Sequence, residues 1–195
     1  MRQHLCALAA AAIVLSAFTG CASQQAAPVL SAVAEPDGQI LAALDIGFRG
    51  EAESDGPALL AAATLLESSG ARPAEGEADL AGRWFARAAE LGESVPPARG
   101  RIAGPAYRNG VLASAEAAVL RDSFHSGRIA RVSLQTRGPG TLRLSIRRAS
   151  GEPVCETLTG PAPVSCQWVP VWSEPFIIEI TNLTGAQIPY YLITN

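Results

Sequence analysis

Lysine is absent from this 195-residue chain: all 15 basic residues are arginine, and 18 acids bring the formal net charge to -3. No basic run interrupts that balance, so the electrostatic footprint of a nucleic-acid binder is missing and nucleic acid is excluded as a partner. Histidine is scarce too, with two in the chain, and His4 lies in the extreme N-terminal segment. Imidazole-based acid–base or metal chemistry has only His125 to draw on in the remainder. Charged residues make up 17% of the chain, below the roughly 25% usual for a soluble domain. A hydrophobic content of 48%, punctuated by 18 glycines and 14 prolines, nevertheless indicates a folded protein rather than a disordered one. The length accommodates one domain or two small ones.

Long apolar runs are equally scarce. Leu5 to Phe18 is charge-free and follows Arg2 in the opening MRQHLCALAAAAIVLSAFTG. As a helix this stretch would span about 21 Å, short of the ~30 Å hydrocarbon core of a bilayer, so residues 1 to 20 read as a signal peptide rather than a membrane span. The following Phe18-Thr19-Gly20-Cys21 resembles the lipobox of bacterial lipoproteins. That resemblance implies acylation at Cys21, with palmitate-type chains, and a mature chain anchored in a membrane. Ala22 is not the aspartate associated with inner-membrane retention in Gram-negative lipoproteins, which implies the periplasmic face of the outer membrane. Plain secretion, with cleavage after Ala22 or Ser23, is the alternative, since the motif usually has an aliphatic residue at the place of Phe18. Without residues 1 to 20, 14 arginines face 18 acids, so net charge adds nothing to anchoring.

Of the four cysteines, Cys6 lies in the signal segment and Cys21 is the expected lipid site. Cys155 and Cys166 remain, and in an oxidising compartment two remaining cysteines are expected to pair. A two-ligand metal site or a reactive thiol is the rival reading, and a metal would need further ligands beyond His125.

From residue 21 to about 39 the chain is small, polar and twice interrupted by proline, the composition of a flexible tether. Residues 40 to 92 carry helical periodicity. Leu41, Leu44 and Phe48 suggest a first helix, weakened at its end by Gly47 and Gly50; Asp55-Gly56-Pro57 announces a second, with Leu59, Ala63 and Leu66 on one face. A third is expected from Glu77 to Leu91 on the stripe Leu80, Trp84, Ala88, Leu91. The pattern resembles a degenerate tetratricopeptide or Sel1-type hairpin in size and small-residue packing only, and is read as a plain helical hairpin. Residues 93 to 117 form a connector rich in proline, glycine and arginine, expected to be largely loop.

Beyond residue 118 the period changes to two: Ala130, Val132, Leu134; Leu142, Leu144, Ile146; Phe176, Ile178, Ile180 alternate with mainly polar residues. With frequent Gly/Pro turns, residues 118 to 195 predict an antiparallel β-sandwich of about seven strands, and the chain as a whole an α+β protein. The succession Asp122-Ser-Phe124, Gly127-Arg-Ile-Ala130, Thr141 to Arg147, Gly151-Glu-Pro-Val-Cys155, Cys166-Gln-Trp168-Val-Pro170, Phe176 to Asn182 and Tyr191 to Asn195 resembles the pre-peptidase C-terminal type of jelly-roll-like domain. That resemblance implies an accessory module without catalytic chemistry. The whole arrangement is also similar to a class of bacterial envelope lipoproteins.

Candidate chemistry is thin. His125 follows Phe124 beside Ser123 and Ser126, but no G-x-S-x-G elbow exists, and an exposed strand-end histidine is expected. Glu51, Glu53, Asp55 and Gly56 echo the start of a calcium loop, yet its twelfth position is Ala62, so a helix-leading acidic turn is the better reading. Arg99, Arg101, Tyr107 and Arg108 offer guanidinium forks and a ring that could grip an anionic or glycan partner, or simply pair and pack within the connector. Trp168 is expected in the core, and Trp172, beside Ser173-Glu174-Pro175, at the surface. These observations lead to a non-enzymatic envelope protein without a cofactor, an interaction or structural module held to a membrane by lipid, with an envelope protein as partner. A module for peptidoglycan or another glycan is the alternative. A carboxylate-only enzyme is the third reading, and it would need two facing carboxylates in one cleft.

Overall fold

A computed structural model describes residues 35 to 97 and 104 to 195. The signal segment, Cys21, Arg99 and Arg101 lie outside the described residues. Three helices, α1 (Glu35–Glu53), α2 (Gly56–Ser68) and α3 (Leu80–Glu90), precede all but one of the strands. No described helix is long and apolar enough to cross a membrane.

The helices begin where side-chain chemistry allows. Asp55 caps α2, its carboxylate accepting from the Ala58 N–H at 3.0 Å with Pro57 in the first turn, and Asp79 caps α3 by accepting from the Gly82 N–H at 3.2 Å. Buried Leu59, Ala63 and Leu66 on α2 and Leu80, Trp84 and Ala88 on α3 meet Ile40, Leu41 and Leu44 of α1. Leu91, expected on the α3 stripe, instead follows the last helical residue and is exposed. Gly47 does not end α1, because packing outweighs its poor helix propensity. The Trp84 indole lies so close that a β-carbon at Gly47 would come within 2.4 Å of its ring atoms. The helix also starts earlier than composition suggests, so residues 35 to 39 belong to α1 rather than to the tether. Asp37, buried against the sheet, anchors that first turn.

The strands are β1 (Arg72–Pro73), β2 (Ala106–Leu112), β3 (Ala117–Phe124), β4 (Ala130–Thr136), β5 (Leu142–Arg148), β6 (Pro153–Leu158), β7 (Val164–Trp168), β8 (Glu174–Asn182) and β9 (Ile188–Thr194). They form a five-stranded sheet in the order β1-β2-β9-β4-β7 and a four-stranded sheet in the order β3-β8-β5-β6. Every pairing is antiparallel except β1 with β2. The seven strands β3 to β9 meet the expectation from periodicity. Their alternating residues Val132, Leu134, Leu142, Leu144, Ile146, Phe176, Ile178 and Ile180 are fully buried between the sheets. β2 corrects the connector: its residues 106 to 112 pair along their whole length with β9.

The central strand β9 of the five-stranded sheet is buried on both faces. Along β9, Tyr190 and Leu192 face the sandwich interior while Tyr191 and Ile193 face the helices. Phe48 of α1 stacks on Tyr191 at 5.7 Å between centroids, and the Arg137 guanidinium sits 4.3 Å from the Phe48 ring centroid. α1 therefore runs along β4, from Asp37 beside Arg131 and Ser133 to Phe48 beside Arg137. Cys155 on β6 and Cys166 on β7 are disulfide-bonded, with Cα atoms 6.0 Å apart. Because β6 and β7 are the edge strands of different sheets, this bond ties the sandwich together along one side.

Candidate interaction surface

At the end of the sandwich where β3 and β7 stop and β4 and β8 start, two loops lie side by side: residues 125 to 129 and residues 169 to 173. The Gly127 N–H donates to the Pro170 carbonyl at 3.0 Å, and the Ser126 N–H donates to Ser173 Oγ at 2.9 Å. Beneath them Phe124, Trp168 and Phe176 form an aromatic cluster, with centroid distances of 4.9, 5.2 and 5.8 Å. Trp168 is thus a packing residue, as expected. Pro170 is buried, which turns its neighbours outward. Val169, Val171 and Trp172 are 56%, 64% and 71% exposed, and Ile129 on the facing loop is 51% exposed. Four of the nine exposed large hydrophobic side chains among the described residues thus stand on these two adjacent loops, which makes this end the candidate contact surface.

An open cleft of about 190 Å³ adjoins this tip, lined by Ser123, His125, Arg128, Ile129 and Asn195 among others. Asn195 shapes it: its side-chain carbonyl accepts from the Arg131 N–H at 2.6 Å and its amide donates to the Ile129 carbonyl at 3.2 Å. His125 is exposed at the end of β3. The two loops carry one formal cation, Arg128, and no acid, in a chain with 18 acids overall.

The other expected contact residues do not join this pole. Tyr107 is fully buried, a correction to its place among surface contacts: its hydroxyl accepts from the Leu80 N–H at 2.9 Å and donates to the Ala78 carbonyl at 3.4 Å. Strand alternation decides this, since residue 107 of β2 faces the helices. Arg108 is half-buried and donates to the Glu75 carbonyl at 3.4 Å. β2 and β7 stand three positions apart in their sheet, about 14 Å across, so Arg108 and Trp172 are not one site. The acidic turn is occupied structurally: Glu51 accepts from Arg83 at 2.8 and 3.0 Å, and Asp55 caps α2. Among the described residues no group of three or more His, Cys, Asp and Glu could hold a metal ion.

Sequence reading missed one polar cluster. Asp37, 1% exposed, accepts from Ser133 Oγ at 2.6 Å; Ser165 Oγ lies 3.3 Å from Ser133 Oγ, and an Arg131 guanidinium nitrogen 3.7 Å from Asp37 Oδ1. Only Ser133, a polar residue on a strand whose other face is apolar, hinted at a partner there.

Comparison with known proteins yields fold likenesses only. No protein-family model matches the chain, and no curated protein does. Among solved structures, the pre-peptidase C-terminal domain of a collagenase from Bacillus anthracis aligns with 46% of this chain and 87% of its own, at 11% identity and a TM-score of 0.41. The periplasmic g-type lysozyme inhibitor PliG of Aeromonas hydrophila aligns with 47% of this chain and 84% of its own, at 12% identity and a TM-score of 0.36. The capsular polysaccharide assembling protein CapF of Staphylococcus aureus aligns over 70% of this chain and 42% of its own, at 13% identity and a TM-score of 0.35. At such similarity none of these proteins' activities transfers. The β-sandwich stands on its own strand pairings.

Proposed function

We propose that this chain is a non-catalytic envelope lipoprotein, held by acyl chains on Cys21 at the periplasmic face of the outer membrane, that works through surface contact as an interaction or structural module. Its contact surface is the pole built by residues 125 to 129 and 169 to 173. The exposure of Trp172, 71%, in a loop laced to its neighbour and seated on an aromatic base, is the observation that carries this reading. A large rigid side chain with few rotamers to lose is well suited to anchoring a contact.

Two measurements test it. Labelled palmitate should enter the protein in cells and should fail to enter Cys21→Ser; unchanged incorporation in that variant would remove the anchor from the proposal. A photo-crosslinker at position 172 should give fold-dependent adducts in intact cells, and one at exposed Leu183 at the other pole should not. The same exposed indole favours a second reading, stacking against the apolar face of a sugar ring. Saturable sedimentation with purified sacculi, lost in Trp172→Ala, would favour that glycan reading.

A further inference from the structure

The start of α1 lies over the first half of β4, the half from whose end the apolar tip projects. α1 begins two residues before Asp37, and Asp37 is hydrogen-bonded to Ser133, midway along β4, with the Arg131 guanidinium 3.7 Å away. The start of β4 is where the loop of residues 125 to 129 arrives, and Ala130 pairs with Trp168, the residue that leads into the loop of residues 169 to 173. Between Cys21 and α1 stand only thirteen residues, 22 to 34. Fully extended, thirteen residues reach at most about 45 Å, so an acyl anchor on Cys21 would leave the start of α1 within that distance of the bilayer.

The chemistry of the pole matches that surface. Ile129, Val169, Val171 and Trp172 project from two loops that contain no acid, and Arg128 stands beside them. Tryptophan settles at the level of lipid headgroups, where its ring is half in an apolar medium and its N–H remains hydrogen-bonded. Valine and isoleucine gain by leaving water for the acyl boundary, and arginine forks onto phosphate oxygens. The acids at this end, Glu174 and Glu152, both pair with Arg148; the opposite end exposes Val111, Leu158 and Leu183 and carries Glu116.

We infer that the pole formed by Ile129, Val169, Val171 and Trp172, with Arg128, docks on the phospholipid surface to which the chain is tethered, and so fixes the orientation of the sandwich on the membrane. This rests on the contact-surface reading above and names the contacted surface. Docking adds a second contact to an acyl anchor, and without that anchor it gives the weak, reversible binding of a single signal.

The test uses the mature chain, residues 21 to 195 with Cys21→Ser, which lacks both the apolar leader and the acyl anchor, with vesicles of phosphatidylethanolamine and phosphatidylglycerol. Fluorescence from Trp172, isolated by difference from Trp172→Phe, should shift to the blue and be quenched by lipids brominated near the glycerol. Trp172→Ala and Val171→Asp should each weaken vesicle partitioning by about tenfold or more. Arg128→Glu should weaken it on vesicles containing phosphatidylglycerol more than on neutral ones. Leu183→Asp, at the other pole, should leave it unchanged, and circular dichroism confirms that each variant is folded. A Trp172 signal indifferent to vesicles overturns the lipid assignment. If position 172 then still crosslinks to a protein in cells, the contact-surface reading survives without the lipid; if it crosslinks to nothing, both fall.

Discussion

Ser133 on β4 donates a 2.6 Å hydrogen bond to the Asp37 carboxylate of α1, and both side chains are buried. This contact joins the first turn of the helix to the five-stranded sheet. Removing the acceptor leaves the buried Ser133 hydroxyl with only the longer 3.3 Å contact to Ser165 Oγ and deprives half-buried Arg131 of its nearby charge, so Asp37→Ala should destabilise by about 3 kcal/mol. Asp37→Asn keeps an acceptor and should cost less. Urea unfolding of both variants checks the order; equal midpoints for Asp37→Ala and wild type would remove Asp37 as the pin.

Gly47→Ala sets two effects against each other. Alanine in a helix interior gains about 1 kcal/mol over glycine, but its β-carbon would collide with the Trp84 ring. Overpacking should prevail, for a net loss of about 1 to 3 kcal/mol. A smaller partner restores room, so Trp84→Leu should be less damaging in the Gly47→Ala background than alone. A double-mutant cycle measures that coupling, and strict additivity would contradict the packing contact.

The cross-sheet bond between Cys155 and Cys166 closes a short loop, worth about 3 kcal/mol in the chain-entropy model. Replacing both cysteines by serine should lower stability by that amount while leaving the far-ultraviolet spectrum unchanged. Intact mass under non-reducing conditions should show no free thiol at either site.

Tyr191 and Tyr190 both titrate above the ordinary tyrosine range, chiefly because burial disfavours the phenolate; for Tyr191 the Arg137 guanidinium opposes that rise only in part. Unfolded tyrosines release protons near pH 10. Above that pH the unfolded chain holds fewer protons than the folded one, so these residues leave stability unchanged below about pH 10 and erode it above. Alkaline spectrophotometric titration should show tyrosine ionisation coinciding with unfolding. Ionisation of all tyrosines near pH 10 in a still-folded protein would contradict their burial.

How far the sequence disclosed this structure depends on how regular each segment is. β5 and β8 were legible because Leu142, Leu144, Ile146 and Phe176, Ile178, Ile180 each keep one face in the core and the other towards solvent. β2 was not, because its AYRNGVL breaks alternation for local reasons. Gly110 sits opposite Tyr190, and a β-carbon there would lie 2.8 Å from the tyrosine ring and hydroxyl, so the position requires glycine within a strand. Tyr107, for its part, could be read as a packed or a surface ring until its strand was placed under the helices. The exposure of Trp172 could be anticipated from the polar and proline residues after it. Its grouping with Ile129, 43 residues earlier, required the fold.

The most direct measurement is site-specific photo-crosslinking in intact cells producing the full-length protein, with the probe placed in turn at 129, 171 and 172 and, at the far pole, at 111 and 183. Adducts concentrated at the first three positions, with phospholipid among the products, are the expected result. Adducts distributed equally between the poles, or confined to 111 and 183, would contradict the assignment of this pole as the working surface.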